Sequence, residues 1–289
     1  MNNNKRIALT IDDLPFVSLS TKDRSREGLE ITNLLLKHLK QNDVRATGFV
    51  IGGKAGKGEK DDLLGKWHLD GHLLANHTFS HPSLSNISFD DFEKEVIQSE
   101  EVLAPYLENK TGKYFRFPYL DYGNTPEKRK KALTFLNKRS YTIAPVTLDS
   151  KDYIHNKIYV GAWLKEETDT MQYAIDKYLD YTKKIVEFHE RQAMYFWGRT
   201  MGFIMLIHAN KLNAYSLGHV IKLLKRKGYE FVSLSEVLNE PDYRQNYANI
   251  YNPKYMSWKE QSGNGKLEMI NFPNVAPEIL EVYNRKLQY

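Results

Sequence analysis

Several short apolar runs in this 289-residue chain end in small clusters of chemically active side chains. In chain order the clusters are Asp12-Asp13, His77 with His81, Arg116 with Tyr119, Asp149 with Asp152, and His208. The run Ile7 to Ile11 (IALTI) reads as a buried strand that delivers two carboxylates at its C-terminal end. Ala46 to Ile51, Tyr114 to Phe117, Tyr141 to Leu148, Gly202 to Ile207 and Tyr229 to Leu234 read as further strands. Helical spacing intervenes over Gly28–Lys40, Leu63–Leu74, Asp90–Leu107 (Ser88 as N-cap), Glu127–Arg139 and Leu217–Lys227. This alternation predicts a parallel α/β sheet or barrel. Folds of that kind build their sites at the C-terminal ends of strands, where the polar clusters stand.

Two segments depart from the alternation. Ile154 to Trp197 is long, charged and aromatic-rich, and is expected to be largely helical. Asn239 to Tyr289 carries many tyrosines and a weak pattern, and is expected to pack on the main domain as an appendage.

The bulk numbers exclude several classes of function. The chain has no cysteine, which removes disulfides, thiolate catalysis and cysteine-ligated zinc. A net charge of +5 is mild. The longest basic run, Lys128 to Lys131, has no interleaved aromatics and reads as an exposed helix face, so no nucleic-acid partner is expected. No apolar stretch approaches membrane-spanning length. The polar start, Met1 to Lys5, leads straight into a strand, so no signal peptide is expected here. The protein is therefore expected to be cytoplasmic, or to belong to the cell envelope or exterior if a leader was removed.

Taken singly, each cluster has an ordinary reading beside the chemical one. His77 and His81 are four apart, but Pro82 biases His81 away from a helix, so the pair sits in a loop or at a helix end. Adjacent carboxylates such as Asp12-Asp13 also cap turns. At the end of a buried strand they repel each other, and a cation beside one of them offsets that cost. The second acid is then free to act as a general base. Arg116, if buried, needs a carboxylate partner, and the spare aspartate is a natural one. An imidazolium at His208 hydrogen-bonded to Asp152 would protonate a leaving amine, although a lone histidine at the end of an apolar run is more often structural. Asp149 could equally cap a turn. Together the clusters supply the inventory of a hydrolase that uses a metal-held water.

At this point the chain resembles the metal-dependent polysaccharide deacetylases, the NodB-homology or carbohydrate esterase family 4 enzymes. Five motifs have counterparts in order: TIDD (Thr10–Asp13), GHLLANHTFSHPSLS (Gly71–Ser85), RFPY (Arg116–Tyr119), DSKDY (Asp149–Tyr153) and LIH (Leu206–His208). The resemblance implies an α/β fold, a distorted (β/α)7-type barrel. Here it would carry a helical insertion (residues 154–201) within residues 1–240, and a C-terminal extension (241–289) packed on the barrel. It implies Asp13, His77 and His81 as ligands of Zn2+, with Co2+ or Ni2+ as alternatives. It also implies Asp12 as base, Arg116 as its partner, His208 as acid oriented by Asp152, and the Tyr119 backbone at the oxyanion. The expected reaction is removal of N-acetyl groups from an amino-sugar glycan of the peptidoglycan or chitin type. An O-acetyl esterase on xylan, a ring amidase and a non-catalytic carbohydrate-binding protein are the rivals. Oligomeric state stays open.

Three departures from the family pattern stand out. Leu14 replaces the usual Gly after the acid pair and is expected to narrow the approach to the base. Tyr153 replaces a usual Trp, making one wall of the acetyl pocket more polar. The long insertion offers a lid or groove rim. Trp163, Tyr173, Trp197 and Tyr215 are candidates for stacking on sugar rings, or ordinary packing.

Overall fold

A computed structural model describes residues 5–18, 24–55, 62–107, 112–243 and 272–285. The centre of the fold is β1 (Lys5–Leu14), whose interior is almost wholly buried. Burial of a single Ile or Leu side chain is worth about 1.5–3 kcal/mol, and Ile7, Leu9, Ile11 and Leu14 are all at most 1% exposed. β1 pairs in parallel with β2 (Ala46–Val50) on one side and β7 (Phe203–His208) on the other. Beyond β2 come β3 (Leu73–Asn76), β4 (Lys113–Phe115) and β5 (Tyr141–Ile143); beyond β7 comes β6 (Leu148–Asp149). The short β8 (Tyr229–Phe231) joins β1 at Lys5–Ile7. Every pairing among the described residues is parallel. The result is a curled parallel sheet in the form of a distorted (β/α)7 barrel, as the sequence suggested.

Helices α1 (Arg24–Gln41), α2 (Leu63–Leu69), α3 (Phe89–Leu107), α4 (Pro126–Lys138) and α7 (Lys211–Arg226) intersperse these strands. Their starts follow local chemistry. Thr125 accepts the Lys128 N–H ahead of Pro126, and Asn210 accepts the Asn213 N–H at the head of α7. Ser88 accepts the Asp91 N–H at the head of α3. The insertion forms α5 (Asp152–Leu164) and the 30-residue α6 (Thr168–Trp197), which pack against each other and against α7. After the short α8 (Leu234–Leu238), the last described element is α9 (Pro277–Asn284), which packs on α5. None of the described helices is long and apolar enough to cross a membrane. A second, phenylalanine-rich cluster around Phe92, Phe115 and Phe117 fills the space beneath β4 and α4.

Three segments differ from expectation. Leu63–Leu74 is not one helix: α2 ends at Leu69, Gly71 takes a left-handed φ of 79°, and Leu73–Asn76 is strand β3. Tyr141–Leu148 divides into β5 and β6, which pair with different neighbours. The helix predicted from Leu217 begins six residues earlier, at Lys211.

Candidate active site

Strand register brings the five clusters together. Asp12 on β1 is the direct partner of His208 on β7. Val50 pairs with Asn76, and Asn76 with Phe115, so His77 and Arg116 emerge side by side from β3 and β4. Successive strand residues normally face opposite sides of a sheet. Between Ile11 and Leu14 the register slips, and Asp13 takes a φ of 65°. That irregularity brings both Asp12 and Asp13 to the wall of a single cavity of about 440 Å³. His81, Tyr119, Leu120 and Lys151, which also line this cavity, hold left-handed backbone as well. Backbone strain of this kind concentrates where side chains must be aimed.

Asp13, His77 and His81 offer three ligand atoms that all lie within 4.8 Å of one another. Asp13 Oδ1 is 3.6 Å from His77 Nε2 and 3.3 Å from His81 Nε2. His77 Nδ1 donates to the Arg116 carbonyl at 2.8 Å, which leaves Nε2 as the bare nitrogen facing Asp13. Desolvation pushes both histidines down to about 4, so both are neutral at pH 7. Burial acts to raise Asp13, but nearby positive charge, His208 foremost, outweighs it and holds the carboxyl below its usual range. Asp13 Oδ1 is buried and accepts no hydrogen bond. Neutral imidazole lone pairs turned toward a bare carboxylate oxygen repel unless a cation lies among them. This donor set therefore fits a divalent metal of the Zn2+ class, with one carboxylate and two imidazoles leaving positions open.

Asp12 is 3% exposed, and its Oδ1 receives Arg116 Nη1 at 2.6 Å. Arg116 is wholly buried. Its guanidinium also donates to Thr10 Oγ1 and to the Ala144 and Pro145 carbonyls, and lies 4.1 Å from the centre of the Phe49 ring. Burial raises the Asp12 pKa, and the Arg116 charge opposes that rise.

On the facing strand, His208 Nδ1 donates to Asp152 Oδ1 at 2.7 Å, which turns Nε2 away from Asp152. Asp152 Oδ2 accepts the His208 N–H and the amides of Asn210 and Asn213. Burial opposes a charge on His208, but the Asp152 carboxylate, with Asp13 and Asp12 behind it, pushes the ring up to about 10. The same contacts hold Asp152 below its usual range against desolvation. Tyr119 lines the cavity, its ring 4.5 Å from that of His81. Asp149 accepts the Lys151 N–H and pairs with its ammonium at 2.5 Å, the turn-capping alternative.

The sequence model of the polysaccharide deacetylase family matches residues 1–137. A chitin deacetylase of Colletotrichum lindemuthianum is 35% identical over 156 residues, 52% of this chain and 54% of that protein. Over its N-terminal half the chain is similar to the polysaccharide deacetylase family. A peptidoglycan-N-acetylglucosamine deacetylase of Bacillus cereus is 31% identical over 52% of this chain and 47% of its own length. The chain thus spans about half the length of these relatives. The solved chitin deacetylase from C. lindemuthianum superposes with a TM-score of 0.57 at 27% identity, covering 86% of this chain and 94% of that one. A carbohydrate esterase family 4 pseudoenzyme from Bacillus anthracis shares the fold, with a TM-score of 0.53 at 19% identity over 83% of this chain and 67% of that one. Because a pseudoenzyme shares this fold, fold alone does not establish activity; the side chains of the cavity must.

Some expectations about those side chains change. Leu14 does not narrow the approach to Asp12. It is fully buried and folds over Gly48, where a Cβ would stand 2.1 Å from Leu14 Cδ1. Trp163, Tyr173 and Tyr215 lie away from the cavity. Lys211 sits over the Trp163 ring, Glu278 accepts from Tyr173, and Glu30 accepts from Tyr215. The Trp197 side chain falls outside the described residues. Among the described residues, the insertion reaches the cavity through Asn156 of α5; Tyr153, just ahead of the insertion, also lines it.

Sequence reasoning also passed over several contributors. Asn210 and Asn213, which hold Asp152, carry an Asn-x-x-Asn capping signal hidden by starting α7 too late. Glu95 on α3 accepts the Phe79 and Ser80 N–H groups and the Ser80 hydroxyl, and so fixes the loop between the two histidines. Tyr283, on α9, lines the cavity. No local signal marks Glu95 or Tyr283, because each acts across a tertiary contact.

Proposed function

We propose that this protein is a metal-dependent hydrolase that removes N-acetyl groups from an amino-sugar glycan of the chitin or peptidoglycan type. The observation that carries the reading is the bare, buried Asp13 Oδ1 set against two neutral histidines, with Asp12 beside it and His208 opposite Asp12. The names of its relatives, chitin deacetylase and peptidoglycan-N-acetylglucosamine deacetylase, supply the substrate class. We assign residues 1–240 to the deacetylase domain, with 154–201 as its insertion and 241–289 as an extension packed on it.

Asp13, His77 and His81 would hold the metal, Zn2+ by donor chemistry, with Co2+ or Ni2+ also compatible. A divalent ion held there would supply Lewis-acid polarisation of the acyl oxygen and would lower the pKa of a water toward about 7. Asp12 accepts the proton of the attacking water. Arg116 keeps Asp12 ionised and fixes its direction. As the new C–O bond forms, the Tyr119 backbone N–H faces the developing oxyanion. His208, charged because Asp152 stabilises it, gives its proton to the nitrogen as the C–N bond breaks. The products are acetate and a free amine.

The test is acetate release from an N-acetylglucosamine tetramer, soluble peptidoglycan strands and acetylated xylan, with zinc added or chelated. Zinc-dependent release from the amide substrates is expected. Release confined to xylan would make the protein an O-acetyl esterase. Glycan binding with no release from any of the three would make it a carbohydrate-binding relative. Replacing His77→Ala should remove bound zinc, read by elemental analysis; unchanged zinc content would overturn the ligand assignment.

A further inference from the structure

The C-terminal helix reaches the cavity through one side chain. α9 has anchors besides it: Ile279 is fully buried, Val275 is nearly so, and Glu278 pairs with Lys177 of α6 at 2.9 Å. At the other end of α9, Lys157 of α5 donates to the Tyr283 carbonyl and to the Arg285 carbonyl, groups that the end of a helix leaves without partners. The Lys157 ammonium also lies 4.7 Å from the centre of the Tyr283 ring. These contacts set Tyr283 edge-on to Tyr153, with ring centres 6.0 Å apart. Tyr153 in turn stands 6.1 Å from His208. Tyr153 is 40% exposed and Tyr283 half-buried, and both line the cavity.

We propose that Tyr283 is a specificity-determining residue, through which the C-terminal helix supplies an aromatic wall for the sugar bearing the N-acetyl group. The inference rests on the reading of the cavity as a deacetylation site. The nitrogen that His208 protonates is bonded directly to the sugar ring. The pyranose must therefore lie beside His208, where Tyr153 and Tyr283 stand. The acetyl methyl has its own apolar surface in Leu120 and Leu206, which also line the cavity. Pyranose faces present C–H groups that pack on the electron-rich face of an aromatic ring. A tyrosine provides that area at small entropic cost because few rotors are frozen. Buried Ile279 and Val275 and the Glu278–Lys177 pair dock the helix in addition to the partly buried Tyr283 ring.

The experiment uses the zinc-loaded full chain with an N-acetylglucosamine tetramer, soluble peptidoglycan strands and the sugar-free ester 4-nitrophenyl acetate. Tyr283→Ala should weaken glycan binding by about tenfold in calorimetry and raise KM similarly, with kcat within about twofold. Tyr283→Phe, which keeps the ring, should stay within about twofold of wild type. KM for 4-nitrophenyl acetate should not move in either variant. Unaltered glycan binding by Tyr283→Ala would overturn the proposal. So would an equal rise in KM for the small ester, since the helix would then shape the cavity without touching sugar. If the wild-type protein binds glycan but releases no acetate, the hydrolase reading fails, while the binding difference still decides the role of Tyr283. If the wild-type protein binds neither glycan, both fall.

Discussion

Asp12 and His208 are register partners on adjacent parallel strands, yet each is tied to a different buried ion. Asp12 is bound to Arg116 and His208 to Asp152, at 2.6 and 2.7 Å. The base and the acid are thus held next to one another without neutralising each other. Asp12→Asn should abolish the base while leaving Arg116 its contacts to Thr10, Ala144 and Pro145. Turnover should fall by about 10²–10⁴, the usual worth of general base catalysis, while zinc content stays at wild-type level. Acetate release and metal analysis on the same sample check this; undiminished turnover would remove Asp12 from the role.

Glu95 offers a test of how the metal ligands are aimed. The loop between His77 and His81 holds Thr78 and His81 at φ of 64° each, a conformation disfavoured for residues with a Cβ. Glu95 accepts three hydrogen bonds from Phe79 and Ser80 inside that loop. Glu95→Ala should lower zinc affinity by about 10–100-fold, as loss of groups that orient metal ligands does. Glu95→Gln, which can still accept from the backbone, should restore most of it. Competition with a chromophoric chelator measures both; equal affinities in the wild type and Glu95→Ala would show that the loop holds itself.

Asp152 controls the proton on His208. Its carboxylate is the leading cause that raises the ring, against desolvation, to about 10. A raised histidine adds stability that is complete below its unfolded pKa of 6.5 and is lost as pH climbs toward the folded value. Asp152→Asn should therefore move the His208 titration, followed by NMR in the metal-free protein, to lower pH. It should also reduce stability most at and below neutral pH. A His208 titration that does not move would mean that Asp12 and Asp13 set its charge instead.

The sequence made the strand ends legible because chemistry and periodicity coincided there. IALTI ends in two acids, FIMLI ends in a histidine, and both runs are strands of the sheet. Strand β3 escaped because Leu73 to Asn76 follows a helix after a single left-handed glycine, and four apolar-rich residues extend a helical pattern as well as they start a strand. The placement of Leu14 was misjudged for a different reason. Whether a strand-end leucine faces cavity or core depends on Gly48 of the neighbouring strand, and register cannot be read along one segment. Tyr283 was unreadable for the same kind of reason: its relation to His208 exists only through the docking of α9 on α5.

The insertion helix carries a second pH-sensitive group, remote from the cavity. His189 on α6 is 3% exposed, packed near Phe188, Phe203 and Phe272, and desolvation pushes it down to about 3. In the unfolded chain it titrates near 6.5. The folded form therefore binds fewer protons between these values. The stabilising effect of a neutral His189 is complete above pH 6.5 and is lost as pH falls toward 3. A single such group contributes a slope of at most about 1.4 kcal/mol per pH unit in that window. His189→Phe, which retains an aromatic ring in the same apolar setting, should flatten the acid limb of stability relative to wild type. Urea melts at pH 7, 6, 5 and 4 measure the difference; parallel curves for the two proteins would show that His189 is already charged in the folded state or that the acid limb has another source.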